Sequence, residues 1–202
     1  MRIINCHNML IVLVCTIGLG GCSGTKKNIS SSSVIPAGEA AKLGPGEKVE
    51  VFDLNHDNKP DVWVTYGPMT NPDNPQETKI VLLKKEIDLN HDGKVDVRQF
   101  FNFKGETIKD ELDLDFDGKF DVTTFYQNGQ KVRQEYDFGF DGKPHLWKFY
   151  EKNIIVRAEW DRDLNGRVDR WEYYIDGKLD RVGLDEDGDG NIDTWIQQEG
   201  EK

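Results

Sequence analysis

Residues 86–101 read EIDLNHDGKVDVRQFF, with Asp88, Asn90, Asp92 and Asp96 grouped around Gly93 and a strand-like run following. The phrase is written six times. Its first acidic positions are Asp53, Asp88, Asp113, Asp137, Asp161 and Asp185, so the steps are 35, 25, 24, 24 and 24 residues. A fixed period of this size signals a repeat architecture in which each unit packs on its neighbours. The long first step contains GPMTNPDNPQET (67–78), a Pro- and Asn-rich insertion expected to bulge out as a loop.

The spacers between acidic segments read as hairpins. In FDVTTFYQNGQKVRQEYD (120–137), two β-prone runs flank Asn128-Gly129, and Asp176-Gly177 sits likewise within RWEYYIDGKLDRV (170–182). Both dipeptides suit the type I′ turn of a two-residue hairpin. Large residues alternate at Thr123 and Phe125, Trp147 and Phe149, and Trp171 and Tyr173, the period of a strand. Helices have no room, because a turn bisects several of these short spacers. The expected fold is all-β: an antiparallel meander of about six β-hairpin repeats over 49–199, period 24–25, joined by DxDxDG loops. Hairpin turns would line one edge and acidic loops the other, with some curling to cover the aromatic faces. Trp63, Trp147, Trp171 and Trp195, each two residues past a loop, read as a hydrophobic spine. Tyr126, Tyr150 and Tyr174 fall on the opposite face and read as an exposed aromatic stripe.

Numbered from its first Asp, each loop offers oxygen side chains at positions 1, 3, 5 and 9, usually with Gly at 6 and an apolar residue at 8. Loop 2 supplies Asp88, Asn90, Asp92 and Asp96; loop 3 supplies Asp113, Asp115, Asp117 and Asp121. Loop 5 supplies Asp161, Asp163, Asn165 and Asp169; loop 6 supplies Asp185, Asp187, Asp189 and Asp193. Alternate side chains turning to one point suit a hard cation, and position 7 (Lys94, Lys119, Arg167, Asn191) can add its backbone carbonyl. The bland reading is that Asp, Asn and Gly simply build turns through side-chain-to-backbone hydrogen bonds. Turns need one or two such groups, whereas several like charges converging without a cation repel, which favours a cation. His56 and His91, at position 4, read as surface residues.

The pattern resembles the first part of the EF-hand calcium loop and the loops of dockerins and thrombospondin type 3 repeats. The resemblance implies calcium as the cofactor. Loop 5 matches further, with Glu172 at position 12, where an EF-hand carries its bidentate glutamate; this makes loop 5 the expected tightest site. Loop 1 keeps Asp53, Asn55, Asp57 and Asp61 but has Asn58 for Gly and Pro60 at position 8; it is expected to retain some binding. Loop 4, with Gly139 at position 3 and His145 at position 9, is expected not to bind.

The chain opens with Arg2 and the apolar run MLIVLVCTIGLGG (9–21), the anatomy of a secretion signal over 1–21. Leu19-Gly20-Gly21-Cys22 resembles the bacterial lipoprotein box, which implies a lipid on Cys22. Ser23 after the cysteine implies sorting to the outer membrane. Residues 22–48, rich in Ser, Gly, Pro and Lys, read as a flexible tether. The three cysteines are Cys6, Cys15 and Cys22, so the mature chain has no disulfide and must be held together otherwise. A net charge of −11 disfavours nucleic acid. No nucleophile triad, phosphate loop or zinc signature is present, and carboxylates repeated at fixed period do not make a catalytic pair. The reading is a non-catalytic, calcium-binding envelope or surface lipoprotein, held to a membrane by its lipid, with an envelope protein or glycan as partner. The alternative is a polysaccharide- or peptidoglycan-binding module using an aromatic face; a hydrolase ranks last.

Overall fold

The computed structural model describes residues 43–197. The signal segment, Cys22 and the tether as far as residue 42 lie outside them. The tether's expected end overlaps order: Gly44 to Glu47 form a turn, and the first strand already begins at Lys48.

Twelve strands follow one another. They are β1 (Lys48–Phe52), β2 (Val62–Asn71), β3 (Asn74–Ile87), β4 (Val97–Phe101), β5 (Thr107–Leu112) and β6 (Val122–Gln127), then β7 (Gln130–Tyr136), β8 (Leu146–Glu151), β9 (Ile154–Trp160), β10 (Arg170–Ile175), β11 (Lys178–Leu184) and β12 (Thr194–Gln197). Each pairs antiparallel with its neighbours in chain order, forming one open sheet whose ends are β1 and β12. The expected meander is therefore what forms. Acidic loops join each odd strand to the next even one along one edge, and short turns return the chain along the other.

The turns obey the chemistry of tight hairpins. Asn128 and Gly129 have φ of 52° and 72°, and Asp176 and Gly177 have 50° and 77°, the doubly positive geometry of a type I′ turn. Lys152-Asn153 does the same with φ of 50° and 65°, without a glycine. The insertion at 67–78 is not a loop. It lengthens β2 and β3 past their other neighbours, since β1 pairs only as far as Tyr66 and β4 only as far as Lys84. Pro68 and Pro75 are tolerated there because this extension has no outer neighbour needing their missing N–H.

Register places equivalent residues in rows running across the sheet. Beside the loops, one face carries an apolar row that includes Val62, Val97, Leu112, Val122 and Leu146. Val122 and Leu146 are buried, each contributing about 1.5–3 kcal/mol. The next row on that face is largely polar: buried Asp110, Thr124, Gln134 and Glu172 and half-buried Lys148, with Ala158 and Val182 buried among them. Tyrosines roof it. The Tyr126 hydroxyl donates to Asp110 at 2.7 Å, Tyr136 and Tyr150 to Gln134 at 2.7 and 3.1 Å, and Tyr174 to Glu172 at 2.6 Å. The expected wet tyrosine stripe is thus a half-buried cover whose hydroxyls satisfy polar groups beneath.

The opposite face holds Trp63, Trp147, Trp171 and Trp195, while Trp160 sits beside Leu146 in the apolar row of the first face. Trp63 is buried, Trp147 and Trp171 are half-buried and Trp195 is exposed, so the spine fades along the chain. What runs through this face instead is an alternation of cations and rings. Lys109 lies over Phe100, Arg133 over Phe125, Arg157 over Phe149 and Arg181 over Tyr173, at 4.2–5.3 Å. The same basic residues pair with a carboxylate two residues on: Lys109 with Glu111, Arg133 with Glu135 and Arg157 with Glu159, at 2.8–3.1 Å. Every hairpin also has a register shift one residue later, as between Phe125 and Tyr126 or Phe149 and Tyr150. Such bulges increase twist and curl the sheet.

Candidate metal-binding loops

The loops are stitched into the sheet at both ends. The N–H of position 9 donates to the last residue of the preceding strand, as Asp96 does to Ile87 at 2.9 Å. The N–H of position 1 donates to the carbonyl at position 9 of the loop before: Asp88 to Asp61, Asp113 to Asp96, Asp137 to Asp121, Asp161 to His145 and Asp185 to Asp169, at 2.7–3.0 Å. Adjacent loops are therefore one hydrogen bond apart and stand in a line.

Inside each loop the side chains build the turn. In loop 3, Asp113 accepts the N–H groups of Phe116 and Gly118, both at 2.7 Å; Asp115 accepts Asp117 and Asp117 accepts Lys119; Asp121 accepts Leu114 at 2.6 Å. Position 6 needs a left-handed backbone, and Gly93, Gly118, Gly142, Gly166 and Gly190 supply it at φ of 87–94°, with Asn58 at 69° in loop 1. Position 4 is left-handed as well: His91, Phe116, Phe140 and Leu164 have φ of 54–64°. Nothing in the sequence signals that second site, because its residue types share no preference for it.

The turn bonds leave oxygens over. Ligand atoms come within 4.8 Å of one another in Asp113, Asp115 and Asp121 of loop 3, in Asp161, Asp163 and Asp169 of loop 5, and in Asp185, Asp187 and Asp193 of loop 6. These groups could hold a metal ion. An open cavity of about 470 Å³ separates loops 5 and 6, lined by carboxylates of both and by Arg162 and Arg167. In loops 1 and 2 position 3 is Asn55 or Asn90, so Asp53, Asp57 and Asp61, and Asp88, Asp92 and Asp96, form no such three-acid group. In loop 2, however, Asp96 is almost fully buried with its Oδ1 unpartnered. A buried carboxylate oxygen without a donor is what a cation satisfies. Burial pushes the Asp96 carboxyl up, and Asp88 and Asp92 push it further against the N–H groups of Leu89 and Asn90. Burial and the charges of Asp115 and Asp113 likewise push Asp121 up.

Several sequence expectations change here. Glu172 does not join loop 5: it lies in β10 on the polar buried row, accepting Arg170 Nε at 2.9 Å and the Tyr174 hydroxyl at 2.6 Å. A strand residue three past the loop cannot turn back as it would from a helix. Asp169 Oδ1 is also taken, by Arg162 Nε at 2.6 Å, and Asn165 Nδ2 donates to Asp163 at 2.9 Å. Loop 5 therefore keeps Asp161, Asp163 and Asp169 close together without the position 12 glutamate that set it apart in the sequence. Loops 3 and 6, with carboxylates at positions 1, 3, 5 and 9, are better provided. His91 is exposed, as expected, and its Nδ1 also lies 2.8 Å from Asp61 Oδ1 in the preceding loop. Burial raises Asp61, but bonds from His91, Leu54 and Asn55 outweigh it and lower its pKa. The position 7 side chains reach forward to the next loop, which leaves the expectation for their backbone carbonyls as it was. Lys94 Nζ donates to the Asp117 carbonyl at 3.0 Å and Arg167 to the Gly188 carbonyl at 3.0 Å.

Loop 4 is rebuilt rather than merely damaged. His145 is almost fully buried, with Nδ1 3.3 Å from Asp137 and Nε2 3.7 Å from Asp141, so these three also form a group able to hold a metal. Gly139 makes the room: a Cβ there would lie 2.6 Å from His145 Cε1. The two departures from the repeat are one compensated change.

No protein-family model matches the chain, and no curated protein matches it. Among solved structures it is similar to a chain in the crystal structure of accessory secretory protein 1, 2 and 3 in Streptococcus pneumoniae, at 15% identity and a TM-score of 0.38. That similarity covers 61% of this chain and 20% of the other.

Proposed function

We propose that the protein is a non-catalytic, calcium-binding lipoprotein of the bacterial envelope or surface, in which calcium ions hold the loop edge together and the sheet serves as a scaffold for an envelope partner. The observation that carries this reading is the convergence of three carboxylates in each of loops 3, 5 and 6, supported by the orphaned Asp96 oxygen in loop 2. The donor set is oxygen throughout these loops, which suits calcium; magnesium fits less well, because it wants a rigid octahedron and retains its waters. Asp113, Asp115 and Asp121, and Asp185, Asp187 and Asp193, would be the main ligands. Position 12 is Thr124 in loop 3 and Ile196 in loop 6, and Glu172 is turned away from loop 5, so each shell is short of one bidentate carboxylate and affinities belong in the roughly 10⁻⁴–10⁻³ M range of extracellular modules. Calcium then acts as a staple where other exported proteins use disulfides. The lipid on Cys22 would fix the domain to a membrane, the outer one by the residue that follows. The tyrosine hydroxyls are engaged with buried groups, which favours the scaffold over a tyrosine-lined glycan site.

Calorimetric titration of metal-stripped protein tests the reading. Several weak calcium events are expected, and Asp121→Asn should remove one of them, because Asn keeps the turn bond to Leu114 but lacks the charge. A flat titration would leave the carboxylates as turn formers only.

A further inference from the structure

We propose that the sheet continues between molecules: β12 of one copy pairs antiparallel with β1 of a second copy, head to tail. Among the described residues β1 pairs with β2 alone and β12 with β11 alone, so each end of the sheet offers one unpaired edge. The two ends are complementary in kind. β12 follows an acidic loop and β1 precedes one, as at the five internal joints where an odd strand lies beside the preceding even strand. Carrying the internal register across the joint sets Trp195 opposite Val51 and Gln197 opposite Val49 on the tryptophan face. The other face brings Thr194 to Phe52 and Ile196 to Glu50.

Two observations favour this partner. The interior odd strands β5, β7 and β9 carry a basic and an acidic residue on the tryptophan face, and β1 carries Val49 and Val51 in those places. Charged residues protect edge strands from pairing, and here they are missing from the tryptophan face of the edge strand, Lys48 and Glu50 lying on its other face. At the other end, Trp195 is 52% exposed, whereas Trp63, which occupies the same row between two strands, is 5% exposed. A neighbouring β1 would cover Trp195 as β1 and β3 cover Trp63. The joint also keeps every acidic loop on one edge and lets Asp53 N–H reach the Asp193 carbonyl, repeating the bond that links each internal pair of loops. A two-fold pairing of β12 with β12 would throw the loops to opposite edges and lose that bond. Head-to-tail contacts do not close on themselves in a dimer, so they lead to rings or filaments.

Sedimentation velocity on the full chain in millimolar calcium tests the joint, and its outcome does not depend on which loops are filled. Wild-type protein should associate with rising concentration. Val51→Lys spoils one end and Trp195→Lys the other; both sites lie on terminal strands, and circular dichroism will confirm that each variant folds. Each alone should stay monomeric. Mixed, they should give a discrete one-to-one dimer that grows no further, because only one intact β12 and one intact β1 remain per pair. Self-association surviving in Val51→Lys would replace this joint with a two-fold one. Wild-type protein that stays monomeric up to about 1 mM, the weak end of specific affinity, would overturn the proposal outright.

Discussion

The two long edges of this sheet do the same topological task by different means. On one, Asn128-Gly129, Lys152-Asn153 and Asp176-Gly177 reverse the chain with two residues each. On the other, nine residues and up to five carboxylates are used for the same reversal, with two left-handed positions per loop. Turning an antiparallel chain therefore does not require the acids. Their turn bonds to backbone N–H groups are real, but they use only part of each carboxylate's capacity, and what remains converges. The turn edge is held by backbone geometry, while the loop edge carries a charge density that backbone geometry alone does not relieve.

Removing calcium should separate the edges most sharply. At ten times its Kd, each filled site adds about 1.4 kcal/mol of stability. A domain of this size moves its Tm by about 2–4 °C per kcal/mol, so the three all-carboxylate groups together predict a fall of roughly 8–17 °C on adding a chelator. Thermal circular dichroism with and without chelator reads this directly. Hydrogen exchange should show the loss beginning at the loop edge, with the amides beside the two-residue turns protected longest. An unchanged melting curve would erase the distinction between the edges.

Glu172 sharpens the comparison from the strand side. By sequence position it belongs to loop 5; by structure it belongs to the buried polar row, held by Arg170 and Tyr174. Glu172→Gln should cost about 1–2 kcal/mol through weakened charge-assisted bonds. The calcium titration should be unaltered. A lost calcium event with unchanged stability would return Glu172 to the loop.

The case of Glu172 also shows where the sequence stops being legible. Period, turn dipeptides and alternation were enough to read a meander of about six hairpins in chain order, because each is a local signal written several times. Which face is buried was not legible. Val122, Leu146 and Ala158 are ordinary strand residues, and only the register shows that they share a face under the tyrosines. The tryptophans drew attention by size, yet burial on their face falls away toward β12, where the outer strand is missing. In the loops, positions 1, 3, 5 and 9 were readable from spacing. The reach of His91 to Asp61 and of Lys94 to Asp117 was not, since it depends on how closely one loop stands beside the next. The basic–acidic pairs of β5, β7 and β9 were visible as a repeated pattern at the same period, and became meaningful only with the rings beside them.

Asp110 gives the smallest test, and it asks whether the burden of unrelieved carboxylate is confined to the loop edge. It lies in β5, away from every loop, buried with Oδ1 unpartnered and Oδ2 accepting the Tyr126 hydroxyl. Burial raises its pKa above the ordinary 3.8, against the lowering bonds of Tyr126 and Thr124. A carboxyl whose folded pKa is raised takes up a proton on folding, so it contributes most stability below the unfolded value and loses that contribution as pH rises through the folded one. At neutral pH the Asp110 charge therefore works against the fold. Asp110→Asn should raise stability at pH 7 by up to about 1 kcal/mol, and the gap from wild type should shrink toward zero below pH 3.8. Calcium should change neither number, because Asp110 belongs to none of the converging carboxylate groups. In Asp121→Asn the sign should depend on calcium, with stability lost when it is present and gained when it is chelated. If Asp110→Asn proves calcium-dependent as well, the buried row and the loop edge are coupled, and the two edges cannot be treated as separate.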